Sequence, residues 1–101
     1  MTPEDGLQLL AGFRERIDDL GRRILDLLSE RTRIVEEIGR VKRHLNLPIY
    51  EPRREDEVFE NVTRHNPGPL AADSVKRVFE RIIDEMRTIQ RLRMLEKDGK
   101  P

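Results

Sequence analysis

Three polar residues lie on or beside apolar helical stripes in this sequence, and their types suit the binding of an anion. Arg31 stands on a stripe between Leu27 and Ile34, where a spacing of three and four residues otherwise places apolar side chains. Lys42 follows Arg31 by 11 residues, which in a helix is roughly 16 Å along the axis and within about 20° of the same direction. Gln90 interrupts a later stripe in the same way. Because a buried cation is costly unless it is paired, two cations directed into one interior predict an anionic ligand.

Each of these residues also has an ordinary structural interpretation. Arg31 could pair with a buried glutamate such as Glu55, and Lys42 could extend past the stripe and keep its ammonium group in water. Gln90 could be a polar core residue that fixes the register of its helix. These interpretations are the simpler ones for any single residue, whereas the three residues together with the motifs described below favour a ligand site.

The composition excludes several other classes of site. The chain has no cysteine, which excludes disulfides, thiolate catalysis and cysteine-based metal sites. Its two histidines, His44 and His65, form no HExxH motif, so we expect no metal. The 20 basic residues balance the 20 acidic ones, which argues against nucleic-acid binding. No stretch approaches the run of about 20 apolar residues that a membrane span requires. We therefore expect a cytoplasmic protein without membrane or nucleic-acid partners.

Periodic apolar residues predict an all-α fold with one domain over residues 1–101. Hydrophobic residues make up only 36% of the chain and charged residues 40%, but the apolar positions recur at helical spacing, as amphipathic helices require. A long first helix is predicted over about residues 4–45, with a heptad seam. A short second helix follows over about 52–66, and a third of intermediate length over about 73–97. The apolar residues of the seam are Leu10, Phe13, Ile17, Leu20, Ile24, Leu27, Ile34, Ile38, Val41 and Leu45, and the inward stripe of the third helix is Val75, Val78, Phe79, Ile82, Ile83, Met86, Ile89 and Gln90. The tail 98–101 is expected to be frayed.

Prolines and capping residues set the predicted helix boundaries. Pro48 and Pro52 exclude a continuous helix between them, and Pro52 suits the first position of the second helix, with Glu51 as its cap. The segment Pro67-Gly68-Pro69 ends that helix. Asp73 or Ser74 is predicted to cap the third.

The length of the first helix predicts a homodimer. A helix of about 40 residues is roughly 60 Å long, whereas a compact domain of about 100 residues has a radius of gyration near 13 Å. The two shorter helices cannot cover its whole seam, so the seam requires a second chain. An intertwined symmetric pair is the simplest closed solution, and a plain two-stranded coiled coil is the less economical alternative. Arg14 lies about 100° round the helix from Arg31, so it cannot face the same site from the same chain. Taken alone it is an ordinary solvated surface arginine, whereas in a crossed dimer it could enter the site of the partner subunit.

Five motifs together resemble a known family. They are Phe13–Asp18, Leu27–Arg31, Ile38–Lys42, Pro48–Glu55 and Gln90. Their order and spacing resemble the all-helical class of chorismate mutases, over about residues 7–90. None of the motifs is specific alone, whereas the combination is.

Two connecting segments resemble one subgroup of that family more closely. Tyr50-Glu51-Pro52 and Asn66-Pro67-Gly68-Pro69 are similar to mutase domains attached to a 3-deoxy-arabino-heptulosonate 7-phosphate synthase. The resemblance therefore implies a free-standing relative or a fragment of such a fusion, with that synthase as a partner.

The resemblance implies an activity that requires no cofactor. Chorismate mutases rearrange chorismate to prephenate in phenylalanine and tyrosine biosynthesis, by a pericyclic shift without a nucleophile or metal. The enzyme holds a flexible dianion in its reactive conformer and stabilises negative charge on the ether oxygen. The implied architecture is a three-helix protomer whose long helices pair in a dimer with two equivalent sites.

Catalytic roles follow from the same resemblance. Arg31 would hold one substrate carboxylate, and Arg14 of the partner subunit would hold a carboxylate from across the interface. Two arginines suit two carboxylates because the guanidinium fork pairs bidentately. Lys42 and Gln90 would donate hydrogen bonds to the ether oxygen. Glu55 would accept one from the substrate hydroxyl.

Three further residues are implied to bind substrate, and two of them depart from the family pattern. Glu51 would bind the hydroxyl together with Glu55, but it stands where several relatives have an aspartate, which is one methylene shorter. Arg54 would line the pocket. Met86 stands where some relatives have a serine near a carboxylate, so that polar contact is either lost or supplied by another group.

Three alternatives to a mutase stay open on the sequence. Lyases that eliminate pyruvate from isochorismate share the helical scaffold. A regulatory or docking module would use the pocket to sense chorismate or prephenate for a partner synthase. A helical interaction module without a ligand predicts that Arg31 and Lys42 are exposed or internally paired.

Overall fold

Three α-helices account for most of the described chain in the computed structural model. The helices are α1 (Pro3–His44), α2 (Pro52–Arg64) and α3 (Ala72–Asp98). The structure describes the backbone of residues 1–98 and the side chains of residues 1–95, and the described residues include no strand. The all-α prediction and its three helices are therefore confirmed. The predicted fraying of the tail concerns residues 99–101, which lie outside the described residues, whereas Asp98 ends α3.

Local sequence explains both ends of α1. At its start the backbone N–H of Asp5 donates to Thr2 Oγ1 at 3.1 Å and the N–H of Thr2 donates to Asp5 Oδ2 at 3.3 Å, a reciprocal capping arrangement. At its end Asn46 has a φ of 56°, in the left-handed region that asparagine tolerates. The N–H groups of Asn46 and Leu47 donate to the carbonyls of Arg43 and Lys42, which is the Schellman pattern. This turn stops α1 before Pro48.

The two predicted caps of the later helices need correction. Glu51 stands at the N-cap of α2, but its side chain makes no capping hydrogen bond, and Pro52 begins the helix as predicted. The predicted cap at Asp73 or Ser74 is wrong, because α3 already begins at Ala72. Asp73 lies in the first turn instead, where its carboxylate stabilises the positive end of the helix dipole.

The chain divides into two compact units, residues 1–33 and 34–101. In the second unit α2 packs against α3. The buried apolar side chains of the described residues, Val75, Ile83 and Met86, all belong to the predicted stripe of α3. Two polar side chains, Lys42 and Gln90, are buried with them. The core of this unit thus contains two of the three polar residues that the sequence predicts to be directed inward.

The first unit carries the part of the predicted apolar seam of α1 that runs from Leu10 to Leu27. Six of its side chains expose 46–66% of their surface in the single chain: Leu10, Phe13, Ile17, Leu20, Ile24 and Leu27. Contiguous exposed apolar side chains of this kind mark an interaction surface in soluble proteins. None of the described helices combines the length and the apolar character that crossing a bilayer would take.

Candidate functional site

Lys42 is buried at the end of α1, and both of its contacts are to the connector that leads to α2. Only 8% of the residue is exposed. Its ammonium Nζ donates to the carbonyl of Ile49 at 2.9 Å and forms an ion pair with Glu51 Oε1 at 2.6 Å. The interpretation in which the Lys42 ammonium extends into water is therefore wrong. The ion pair compensates much of the cost of burying the cation.

The same ion pair shows what Glu51 does with a side chain one methylene longer than the aspartate of several relatives. Glu51 exposes 47% of its side chain, yet one carboxylate oxygen reaches the Lys42 ammonium. An ammonium group has three N–H donors, and the contacts with Ile49 and Glu51 engage two of them. The third N–H and the second oxygen of Glu51 can therefore serve a ligand. Internal pairing of Lys42 also fits the ligand-free interaction module, so this contact alone does not separate the two interpretations.

Gln90 is buried on α3 and faces α1. Only 7% of the residue is exposed, and its Nε2 donates to the carbonyl of Val35 at 3.1 Å. Gly39 lies beside it, such that a Cβ at Gly39 would be 3.6 Å from Gln90 Cγ. The bond to Val35 fits the polar-core interpretation, but a side-chain amide has a second N–H that can serve a ligand.

Glu55 has a partner that the sequence analysis missed. Both of its carboxylate oxygens accept hydrogen bonds from Arg87 Nη2, at 2.8 and 2.7 Å. The Arg87 guanidinium carbon also lies 4.8 Å from the centroid of the Tyr50 ring. Arg87 directly follows the buried Met86 and precedes Gln90 by three residues, which places it at the edge of the inward stripe. This position at the edge of the stripe was the feature of the sequence that could have indicated Arg87 as a neighbour of the site.

The remaining predicted site residues lie in different surroundings. Arg54 is exposed and pairs with Glu57 on the next turn of α2, at 3.5 Å. Met86 is part of the apolar core. Arg14 is exposed and Arg31 half-buried, and both belong to the first unit, residues 1–33. The alternative pairing of Arg31 with Glu55 concerns two different units and stays a prediction.

The second unit therefore collects a buried ammonium, a buried amide and two carboxylates. Lys42 and Gln90 supply fixed donors of the kind that stabilise developing negative charge, because they need no reorganisation when the charge appears. Glu51 and Glu55 supply acceptors for a hydroxyl group. No group of three or more histidine, aspartate or glutamate side chains within the described part of the chain is arranged to hold a metal ion.

Comparison with known proteins identifies one family. The family model described as chorismate mutase type II matches residues 13–91. A solved structure of chorismate mutase (form II) from Thermus thermophilus superposes with a TM-score of 0.80 and 38% identity, over 81% of this chain and 93% of that chain.

Curated relatives are of two lengths. The chorismate mutase of Methanocaldococcus jannaschii is 23% identical, over 93% of this chain and 96% of that protein. The bifunctional chorismate mutase/prephenate dehydratase of Aquifex aeolicus is 32% identical, over 84% of this chain but 25% of that protein. The chain thus spans about a quarter of the length of the bifunctional relatives that it matches.

Proposed function

This chain belongs to the chorismate mutase type II family, and we propose on that basis that it rearranges chorismate to prephenate. The observation that carries the proposal is the buried ammonium group of Lys42, held by Ile49 and Glu51 with one N–H left for a ligand. The family match over residues 13–91 includes all three of these residues.

The proposed mechanism uses position and electrostatics. The ether C–O bond of chorismate breaks while a C–C bond forms in the same molecule, so no group is transferred to the protein. Negative charge grows on the ether oxygen during this step. Lys42 and Gln90 donate to that oxygen, and removal of one such preorganised donor costs about 10²- to 10³-fold in kcat.

The two glutamates orient the substrate through its hydroxyl group. Glu51 accepts from Lys42 with one oxygen and from the substrate hydroxyl with the other. Glu55 accepts from the same hydroxyl, while Arg54 lines the pocket entrance and Met86 provides an apolar wall. Holding a flexible dianion in its reactive conformer lowers the activation barrier, because the entropic cost of reaching that conformer is met on binding.

We propose that the substrate carboxylates are bound by arginines from two subunits. Arg31 binds one carboxylate, and Arg14 of the partner subunit binds the other in an intertwined homodimer. The support is the exposed apolar seam on residues 10–27. Burying one Leu, Ile or Phe side chain is worth about 1.5–3 kcal/mol, so a seam of this size can hold a dimer together.

The test is a spectrophotometric assay of chorismate disappearance with prephenate identified as the product. We expect Lys42→Ala to lower turnover by about 10²- to 10³-fold while the dimer stays folded. Arg40→Ala is the matched control, because Arg40 lies on the same helical turn and pairs on the surface with Glu37. Wild-type turnover retained in Lys42→Ala, or equal losses in both variants, would contradict the proposal.

The same assay decides between the proposed activity and its alternatives. Pyruvate release from isochorismate with no conversion of chorismate would identify an isochorismate-pyruvate lyase. Turnover of neither substrate by the folded dimer would favour a docking module or a ligand-free interaction module.

Association with a 3-deoxy-arabino-heptulosonate 7-phosphate synthase stays a proposal. Its support is the likeness of two connecting segments, residues 50–52 and 66–69, whereas curated relatives named bifunctional join the mutase to a prephenate dehydratase. Titrating a purified synthase with this chain and measuring the change in its feedback inhibition tests the association. The cytoplasmic location also stays a prediction.

A further inference from the structure

Arg87 occupies an unusual position among the charged residues of α3. It lies between the buried Met86 and the buried Gln90, and 22% of its side chain is exposed. Arg81, six residues earlier on α3, leaves 76% of its side chain in solvent. Arg87 is therefore directed inward, toward the connector and the start of α2.

The contact between Arg87 and Glu55 differs from the surface ion pairs of the chain. The pairs Arg22–Asp19, Arg54–Glu57 and Arg64–Glu60 each join residues within one helical turn, and each partner is more than half exposed. Such pairs contribute little to the stability of the protein, because water and salt screen the charges. Arg87 and Glu55 lie 32 residues apart in sequence, and their side chains are only 22% and 21% exposed.

The geometry of this contact fixes the Glu55 carboxylate. One nitrogen, Arg87 Nη2, donates to both carboxylate oxygens at 2.8 and 2.7 Å. A carboxylate held by both oxygens has little freedom to rotate, and charge-assisted bonds of this length are the stronger kind. An ionised carboxylate has about four lone-pair sites, so Glu55 can still accept a hydrogen bond from a hydroxyl group.

The aromatic ring of Tyr50 holds the guanidinium in turn. The distance of 4.8 Å between the guanidinium carbon and the ring centroid is within the range of a cation–π contact. Tyr50 stands between Ile49 and Glu51, the two residues that bind the Lys42 ammonium. Arg87 therefore connects Glu55 to the same segment of backbone that positions Lys42.

We infer that Arg87, held by Tyr50, is the positioning residue that orients the Glu55 carboxylate toward the substrate hydroxyl. The inference rests on the proposed function, because it requires Glu55 to bind substrate. Arg87 touches Glu55, Tyr50 and, at 3.7 Å, Asp84 on the preceding turn of α3. Of these three residues only Glu55 binds substrate in the proposed function, so Arg87 acts on the substrate through Glu55. Its removal leaves the Glu55 carboxylate free to rotate away from the hydroxyl group.

A double-mutant cycle on kcat/KM tests this inference. We expect Arg87→Met to lower kcat/KM by about 10- to 100-fold in the wild-type background, and by less than about twofold in a Glu55→Ala background, because no carboxylate remains to be positioned. Arg87→Lys should recover much of the loss, because a single ammonium nitrogen can still bridge the two oxygens. Arg87→Gln replaces Arg87→Met in the cycle if the methionine variant does not fold.

Arg93→Met is the matched control. Arg93 also joins α3 to another helix through an ion pair, but its partner is Glu36 on α1, at 2.7 Å, rather than Glu55. Because 60% of the Arg93 side chain is exposed, its replacement should lower the thermal unfolding temperature less than Arg87→Met does, while kcat/KM stays within about twofold.

The outcomes separate this inference from the proposed function. Additive losses for Arg87→Met and Glu55→Ala, or equal losses of kcat/KM in Arg87→Met and Arg93→Met, would overturn the inference while leaving an active mutase. A folded wild-type dimer that does not convert chorismate would overturn the proposed function and the inference with it.

Discussion

At the scale of single residues, the ion pair between Lys42 and Glu51 determines how a cation can be buried in so small a core. Without Glu51, the ammonium would have one neutral acceptor, the Ile49 carbonyl, and would lose the counter-charge that lies 2.6 Å away. Burial of an unpaired charge is costly, whereas a paired and hydrogen-bonded one is tolerated. Glu51 is therefore as much a part of the fold as of the candidate site.

We predict that Glu51→Gln destabilises the protein by about 1 kcal/mol, a value reduced for solvent screening because Glu51 is 47% exposed. The amide keeps the length of the side chain and removes its charge, so the loss reports on the ion pair. Urea denaturation measures it. Glu57→Gln, which removes only the exposed pair with Arg54, should cost less than about 0.5 kcal/mol. Equal losses in the two variants would contradict a special role for Glu51.

Single residues also show where sequence reasoning succeeded and where it failed. The burial of Gln90 was predictable, because it takes a slot that periodicity reserves for apolar side chains. For Lys42 the indication was its direction, within about 20° of Arg31 on the same helix, because the neighbouring seam slots belong to Val41 and Leu45. The pairing of Arg87 with Glu55 was not predictable, because it joins positions 32 residues apart and an arginine at the edge of a stripe is usually solvated. Contacts of this kind depend on how helices pack, which no local pattern encodes.

At the scale of elements, helix boundaries followed from prolines and capping chemistry. Pro52 begins α2 as predicted, and Pro48 lies outside α1. The actual end of α1 depends on Asn46 in a left-handed conformation, and α3 begins one residue before its predicted caps. Such shifts are expected, because several neighbouring residues can each terminate or start a helix at similar cost.

The glycines of this unit provide a test at the element scale. We predict that Gly39→Ala stabilises the protein by up to about 1 kcal/mol, because alanine favours the helix and its Cβ would make ordinary contact with Gln90 Cγ at 3.6 Å. Gly68→Ala should instead destabilise it by about 1 kcal/mol, because Gly68 has a φ of +75°. Urea denaturation of both variants measures whether each substitution raises or lowers the free energy of unfolding. Loss of stability in Gly39→Ala would show that α1 and α3 tolerate no added methyl group there.

At the scale of the whole molecule, the proposed homodimer makes a prediction about shared sites. Arg14→Ala and Lys42→Ala chains should each be inactive alone. After subunit exchange, half of the dimers are mixed and each mixed dimer regains one intact site, so about a quarter of wild-type turnover should return. The assay is chorismate disappearance after co-refolding, with mixed dimers verified by mass spectrometry.

A second mixture serves as the control. Lys42 and Gln90 are both buried in the same unit of one chain, so exchange between Lys42→Ala and Gln90→Ala chains should restore no turnover. No recovery in the first mixture despite verified exchange would contradict the shared site. Recovery in both mixtures would mean that Lys42 and Gln90 of one chain serve different sites.

Because Ile49 and Glu51 bind Lys42, the loop after α1 tolerates changes in its length less well than the loop after α2. The loop after α1 cannot gain a residue without withdrawing a carbonyl and a carboxylate from the ammonium they hold. The loop after α2 is secured by its own Asn66, which bonds to Gly68 and Leu70, and it supplies none of the candidate site residues. Insertions and engineered tags should therefore accumulate in the second loop, while the first keeps its length.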